Sequence, residues 1–333
     1  MEVLPESEFP ALYRSADRTA ITSQRRLLTA TGIRLVLLML AAFCGSFSFP
    51  PSGPNVTAMI AAAAMGVALV TEVYLLTTRP DRRWYEARAA AESAKTLAWR
   101  YLVGGEPFGL DGPAAGRRDG TVTGRPDGAA GGRDGAAAGG REARNGGVPQ
   151  QDHTPDRLLL RRFSKITSDL RSVAPVSVVD GDVQVTAGMR AIRALSLDER
   201  KHHYMVGRLD DQRAWYAAKA NLHERRAAAW LVGVATAEAL GLVTAAIKAA
   251  LGTKGVDIDL PGVLGAVAAA GVAWLQTRQH QQVASAYAIA ALELGDIVVR
   301  AAWPSTEAEW AHFVDEAEEA ISREHMLWSA SHA

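Results

Sequence analysis

From Leu35 to Thr71 the chain runs for 37 residues without an Asp, Glu, Lys or Arg. That exceeds the charge-free length of ordinary core helices, so lipid is the expected surrounding. The run is interrupted once, by Pro50-Pro51-Ser52-Gly53-Pro54-Asn55, a turn cluster that no helix crosses. Two spans result, at about 28–49 and 55–78, each near the ~20 residues that cross ~30 Å of hydrocarbon. Arg25 and Arg26 precede the first span, Arg79, Arg82, Arg83 and Arg88 follow the second, and the connecting turn is uncharged. Basic flanks on one side place both outer ends in the cytoplasm.

The same figure recurs downstream. Ala227–Ala250 carries no charge other than Glu238 and Lys248, a polar turn GTKGVDID follows, and Leu260–Thr277 is uncharged. Lys219, Arg225 and Arg226 lie before this pair and Arg278 after it. The expected fold is therefore an all-α integral membrane protein with two transmembrane hairpins, at 28–49/55–78 and 227–250/260–277, and long cytoplasmic helices. Both termini are expected in the cytoplasm, at the inner membrane. The competing architecture is a soluble helical bundle that buries two Ala-rich hairpins. Three segments are expected: a first two-span unit over 1–110, a glycine-rich insert over 111–152 and a second two-span unit over 153–333.

Set against this patterning, the averages are cancellations. Lys+Arg and Asp+Glu number 36 each and the mean hydropathy is -0.01, because apolar spans offset polar helices. Zero net charge argues against bulk nucleic-acid binding. A single cysteine, Cys44, excludes an intrachain disulfide framework and a Cys-based zinc cluster, and it fits a reducing compartment. The opening MEVLPESEFP has three Glu and no Lys or Arg, unlike a cleaved secretory signal.

Small residues recur four apart in the spans: Ala58, Ala62 and Gly66 in the second, Ala229, Gly233, Ala237, Gly241, Ala245 and Ala249 in the third, Gly262, Ala266 and Ala270 in the fourth. Such stripes permit close helix approach in lipid; Gly66, Ala62, Gly233, Ala237, Gly241 and Ala245 are the expected packing positions. Counted from the outer turn at ~1.5 Å per residue, Arg34 and Glu72 fall roughly level, at ~22 and ~25 Å, which predicts an ion pair inside the first hairpin. Glu238 has no level partner in the fourth span. Either it lines a conducting path, or it is protonated and hydrogen-bonded to Thr236, Thr244 or a backbone carbonyl. Lys248 lies close enough to the outer end to reach water.

Outside the spans, Arg82–Leu102 and Gln279–Ala302 read as helices continuing the second and fourth spans, and Tyr204–Arg226 as a helix leading into the third. A last helix begins after Pro304, where Thr306 and Glu309 have capping-box spacing, with an apolar stripe of Trp310, Phe313, Ala317, Ala320 and Ile321. Gly104–Gly147 holds 15 of the 30 glycines and reads as a flexible linker that argues against tight docking between the halves. Pro155–Val173 looks helical, and residues 176–186 alternate around Asp180-Gly181 as one small β-hairpin would. No GxSxG, HExxH, CxxC or paired metal-ligand helix occurs. Glu309-x-x-His312 stands alone where a bundle carboxylate site needs two such motifs, and His202-His203 and Glu324-His325 suit solvated or capping roles. The residues argue against an enzyme and call for no catalytic group, cofactor or metal.

Three longer patterns remain. Trp84–Tyr101 reads W-Y-x-A-R-x-x-A-E-S-x-K-x-x-x-W-R-Y and is followed by GGEPF; Arg208–Lys219 reads R-L-x-D-Q-x-x-W-Y-x-x-K; Ala317–Trp328 reads A-E-x-A-I-S-R-E-H-x-x-W. With a two-helix hairpin beside them, these patterns resemble the SLATT family of prokaryotic two-transmembrane effectors, here as two units in tandem. The resemblance implies a membrane effector of a defence or conflict system, which opens a pore when a cytoplasmic partner, such as a nucleotide-sensing protein, responds to a signal. It implies a homo-oligomer in the lipid bilayer. Trp84, Arg88, Glu92, Lys95, Trp99, Arg208, Asp211, Gln212, Trp215, Tyr216, Lys219, Glu318, Glu324 and Trp328 are expected to serve assembly. Arg82, Arg83, Arg88 and Arg100 are the alternative as a ligand site. The rival function is a non-conducting scaffold that anchors a partner; an integral-membrane enzyme is the weakest reading.

Overall fold

Both halves are built from one three-helix figure: a long helix, an apolar return and a second return segment beyond a sharp break. The computed structural model describes residues 4–47, 55–110, 154–170, 183–251 and 258–330, excepting the side chains of 169, 170, 251 and 323–330. In the first half, α1 (Ala11–Gly45) is an unbroken 35-residue helix, α2 (Val56–Thr78) returns beside it, and α3 (Pro80–Val103) continues beyond Arg79. Between the halves lie α4 (Pro155–Leu170), α5 (Ala187–Arg193) and α6 (Leu197–Tyr204), the last joined by a π-helical segment, Met205–Asp210, to α7 (Asp211–Leu251). Then α8 (Leu260–Arg278) returns, α9 (His280–Arg300) continues beyond Gln279, and α10 (Glu307–Ala330) closes the chain.

Four of these helical stretches are long and apolar enough to cross a membrane, and the protein is an all-α multi-pass membrane protein. The glycine-rich insert, the Pro50–Pro54 turn and most of the 176–186 hairpin lie outside the described residues; the described end, 183–186, is not strand.

Local chemistry explains several of the helix ends. The Asn55 side chain caps α2 by accepting the Ala58 N–H at 3.0 Å. Ser196 and Glu199 form a capping box at the start of α6, and Thr306 and Glu309 bond reciprocally before α10. The returns are not the continuous helices that the sequence suggests. Arg79 (φ 41°) and Gln279 (φ 45°) are both left-handed, each its return's C-cap, and each break re-aims the chain so that it follows the long helix onward: α1 packs on both α2 and α3, and α7 on both α8 and α9. Pro80 accounts for the first break, because it lacks an N–H and pushes the preceding residue out of the right-handed helical region. No proline follows Gln279, so the second break leaves no local signature.

Beyond the spans the two halves share a single core. Alanines on α1 (Ala16, Ala20) and α3 (Ala87, Ala90, Ala91, Ala94, Ala98) are buried where those helices meet. An edge-to-face aromatic chain runs from Phe9 through Trp99 and Tyr204 to Trp310, with centroid spacings of 5.8, 6.0 and 5.7 Å. It crosses from the first half to the second. The expectation of loose docking is thereby corrected: a long insert lowers cohesion only if nothing else joins its ends, and here buried side chains from both halves do.

Within the spans the packing order is α2–α1–α8–α7, an open row rather than a closed bundle. The hairpin turns touch through the Asp259 N–H, which donates to the Ser46 carbonyl at 3.2 Å, and at the other end Gly32 lies against Trp274. The edges of the row are thinly covered: 11% of the most apolar stretch is buried in both α2 and α7, against 28% for α1 and 22% for α8.

The small-residue stripes are only partly right about this packing. Ala237 is buried, and Gly241 faces Leu264 of α8, with Ala245 partly buried on the same flank. Gly233, Gly66 and Ala62 instead face outward, and a Cβ at Gly233 or Gly66 would meet nothing within 4 Å. In an Ala-rich helix several four-spaced stripes coexist, and the neighbour selects the phase; α2 uses Ala64 and Ala68. A close approach between α8 and α7 is at Gly271, where a Cβ would lie 2.6 Å from Val234 Cγ2. Gly271→Val is expected to lower thermal stability in detergent by about 1–3 kcal/mol through overpacking, whereas Gly66→Ala should leave the unfolding midpoint unchanged or raised.

Candidate functional site

The stripe that buries α10 contains an acid. Trp310, Val314, Ala317 and Ile321 recur at three- and four-residue spacing, and Glu318 sits among them with 0% exposure. An isolated buried carboxylate is strongly disfavoured, so its surroundings must supply charge and hydrogen bonds. Arg208, 1% exposed, meets it side-on: Nε donates to Oε1 at 2.9 Å and Nη2 to Oε2 at 2.8 Å. The Tyr204 hydroxyl donates to Oε1 at 3.0 Å and Thr96 Oγ1 to Oε2 at 2.9 Å. Gln212 accepts from Arg208 Nη1 at 3.4 Å. The carboxylate is thus saturated by donors from α3, α6 and the π-helical segment.

Local backbone form makes this convergence possible. Tyr204, Arg208 and Gln212 are four apart, and a regular α-helix would let that line drift around its axis. The widened turn at Met205–Asp210 slows the drift and holds Tyr204 and Arg208 on Glu318 and Gln212 behind Arg208. Burial disfavours the Arg208 charge, but the adjoining Glu318 carboxylate more than offsets it and raises the pKa. Burial first, then the negative Glu318, pushes the Tyr204 hydroxyl well above its ordinary value. Both groups hold their protons across the physiological range.

A second charged layer adjoins the first on α3. Arg88 Nη2 lies 2.6 Å from Glu92 Oε1, and Nη1 lies 3.2 Å from Asp17 Oδ1 on α1. Lys95 is lowered by burial and by the nearby positive Arg208, and its Nζ stands 5.8 Å from the centre of the Tyr13 ring. Trp99 packs between Phe9 and Tyr204. The three sequence patterns therefore converge on one place. Tyr216 is buried near it, while Asp211 is exposed and Trp215 and Lys219 point instead to Tyr287 and a separate cleft. The side chains of Glu324 and Trp328 lie outside the described residues. Arg100 is held by Asp315 at 2.7 Å and so does not join Arg82 and Arg83, which are exposed.

Sequence reasoning missed two arginines that matter here. The C-terminal carbonyls of α3 need donors. Arg193 donates to the Tyr101 carbonyl and, beyond the helix end, to that of Phe108, both at 2.6 Å, and Arg200 reaches Val103 at 2.6 Å while pairing with Glu307. Trp310 Nε1 donates to the same Val103 carbonyl at 2.8 Å. The available signal was Gly104-Gly105: Gly104 caps α3 at φ 76°, and a Cβ there would lie 2.7 Å from Arg200 Nη1.

In the spans, Arg34 Nη1 is 2.5 Å from Glu72 Oε2, with the side chains 36% and 34% exposed. Glu238 is exposed on the outer surface of α7. The neighbouring hydroxyls are used elsewhere: Thr236 donates to the Val232 carbonyl and Thr244 to that of Leu240. Among the described residues no group of three or more His, Cys, Asp or Glu could hold a metal ion.

Removing one partner of the buried pair should be severe. Glu318→Ala is expected to destabilise the fold by about 3–5 kcal/mol, because it strands a buried guanidinium; the double change Arg208→Met with Glu318→Leu should cost less than either single change. Thermal unfolding of the purified variants in detergent measures both.

Compared with known proteins, residues 10–119 match the SMODS and SLOG-associating 2TM effector domain 3, and residues 204–328 match the SMODS and SLOG-associating 2TM effector domain 1. No curated protein and no solved structure matches the chain.

Proposed function

Because the chain belongs to the SLATT family, with two of its 2TM effector domains in tandem, we propose that it is a membrane effector that oligomerises through its hairpins to form a pore. The observation that carries this reading is the open row α2–α1–α8–α7 with two bare edges. Neighbours in the row alternate in direction, and α7 of one protomer beside α2 of the next continues the alternation. Such a contact is heterologous, and heterologous contacts that close make rings. Ala62 and Gly66 lie on the outward face of α2, where small residues allow close approach.

Glu238 gives the assembly an electrostatic motive. It lies about 20 Å from the turn end of α7 at 1.5 Å per residue, a depth at which an exposed carboxyl in lipid is costly. Facing a neighbour or a water-filled lumen removes that cost. The extramembrane core, shared by both halves and proposed to be cytoplasmic, holds the two hairpins together, so a protein partner that senses a nucleotide signal could act there on both at once. The proposed location is the inner membrane with cytoplasmic termini.

Reconstitution into liposomes tests this. Purified protein is expected to release an entrapped dye, and Glu238→Gln to alter ion selectivity. In a Cys44→Ser background, Gly66→Cys with Ala239→Cys should cross-link protomers into a ladder, and adding Ala62→Leu to that background should abolish both ladder and leakage while the protomer stays folded. Impermeable liposomes despite a full ladder would instead favour a non-conducting scaffold.

A further inference from the structure

The halves meet a second time, at the bundle-side end of the spans, around a cleft of about 310 Å³. Arg88, Lys219, Arg226 and Arg278 line it, and no carboxylate does. Arg88 is balanced by Asp17 and Glu92, but Lys219, Arg226 and Arg278 have no carboxylate partner among the described residues. Lys219 Nζ stands 5.6 Å from the centre of the Trp215 ring and the Arg278 guanidinium 5.9 Å from that of Trp274, contacts that fix direction without neutralising charge. His223 reports the same field. Its pKa is lowered to about 4, first by burial and then by His280, Arg278, Arg226 and Lys219, and its Nδ1 lies 3.0 Å from His280 Nδ1.

The rest of the lining is apolar or aromatic. Trp84, Tyr85, Trp215 and Tyr287 surround the cations, and Leu27, Leu28 and Leu222 form the wall toward the spans. The depth is set by sequence: Leu28 opens the first span, Arg226 immediately precedes the third and Arg278 ends α8. Surplus positive charge, aromatic rings and an apolar wall therefore coincide at headgroup level, where basic pockets between spans take up phosphate.

We propose that this cleft binds the headgroup phosphate of an anionic phospholipid, with Arg226, Arg278 and Lys219 as its ligands and the leucine wall receiving the start of an acyl chain. Arginines suit the task because the guanidinium fork matches phosphate oxygens. Because α1 and α3 supply one side and α7, α8 and α9 the other, a bound lipid bridges the two halves independently of the buried Glu318 centre and of any pore.

The test uses the full chain in nanodiscs of phosphatidylcholine alone or mixed with phosphatidylglycerol, with retained lipid read by native mass spectrometry. The expected result is selective retention of phosphatidylglycerol, reduced at least tenfold by Arg226→Gln with Arg278→Gln and unchanged by Arg82→Gln on the exposed face of α3. Arg226 is surface-exposed, and Arg226→Gln alone, which the fold tolerates, should give a smaller loss in the same direction. Selectivity that survives the double change, or that Arg82→Gln lowers equally, overturns the proposal. Displacement of the lipid by millimolar inorganic phosphate, with the phosphate taking its place, overturns the lipid assignment and leaves a soluble phosphate site.

Discussion

The carboxylate of Glu318 cannot be buried on its own, and meeting its needs dictates much of the extramembrane structure. It draws Thr96 from α3, Tyr204 from α6 and Arg208 from the π-helical segment into one contact. These elements lead directly into the two hairpins, since α3 follows α2 and the π-helical segment opens into α7. A buried ion pair is weak as a source of net stability, yet breaking it is expensive. Its effect is to penalise any arrangement in which the two halves separate, which would leave both charges stranded in an apolar core.

That selectivity complements the lipid-embedded part, where the packing forces are less discriminating. Helices in hydrocarbon gain nothing from burying apolar surface, so α1 and α8 meet through a glycine–tryptophan contact at one end and a backbone hydrogen bond between the turns at the other. The alanine-lined α1–α3 contact and the aromatic chain across the core do the work of holding the hairpins in one row. Each domain contributes one central helix and one edge helix, so neither edge belongs to the same unit as the other.

Much of this was legible in the sequence because charge in a membrane is scarce and therefore informative. Spans and turns follow from missing Asp, Glu, Lys and Arg, and helix starts from Asn55 and the Thr306–Glu309 pair. The less legible features share a cause: they depend on what lies opposite. Stripe phase in α2 was ambiguous because alanine is abundant on every side, and α1 chose Ala64 and Ala68 over Ala62 and Gly66. Glu318 stands among the expected assembly residues, but nothing in its own helix tells that it is buried; that depends on Arg208, 110 residues away. Arg193 and Arg200 bond backbone carbonyls, which carry no sequence signature of their own. The break at Gln279 has no proline to announce it, unlike its counterpart at Arg79.

Those two breaks divide the spans mechanically. α1 and α7 are unbroken rods of 35 and 41 residues, about 52 and 62 Å long at 1.5 Å per residue, whereas α2 and α8 each end in a left-handed joint before their partners α3 and α9 resume. A tilt imposed at the bundle end is carried along the rods and absorbed at the joints. Since α7 is one edge of the row and α2 the other, the protein has one stiff margin and one compliant margin. Any neighbour that docks against it therefore meets a strut on one side and a hinge on the other.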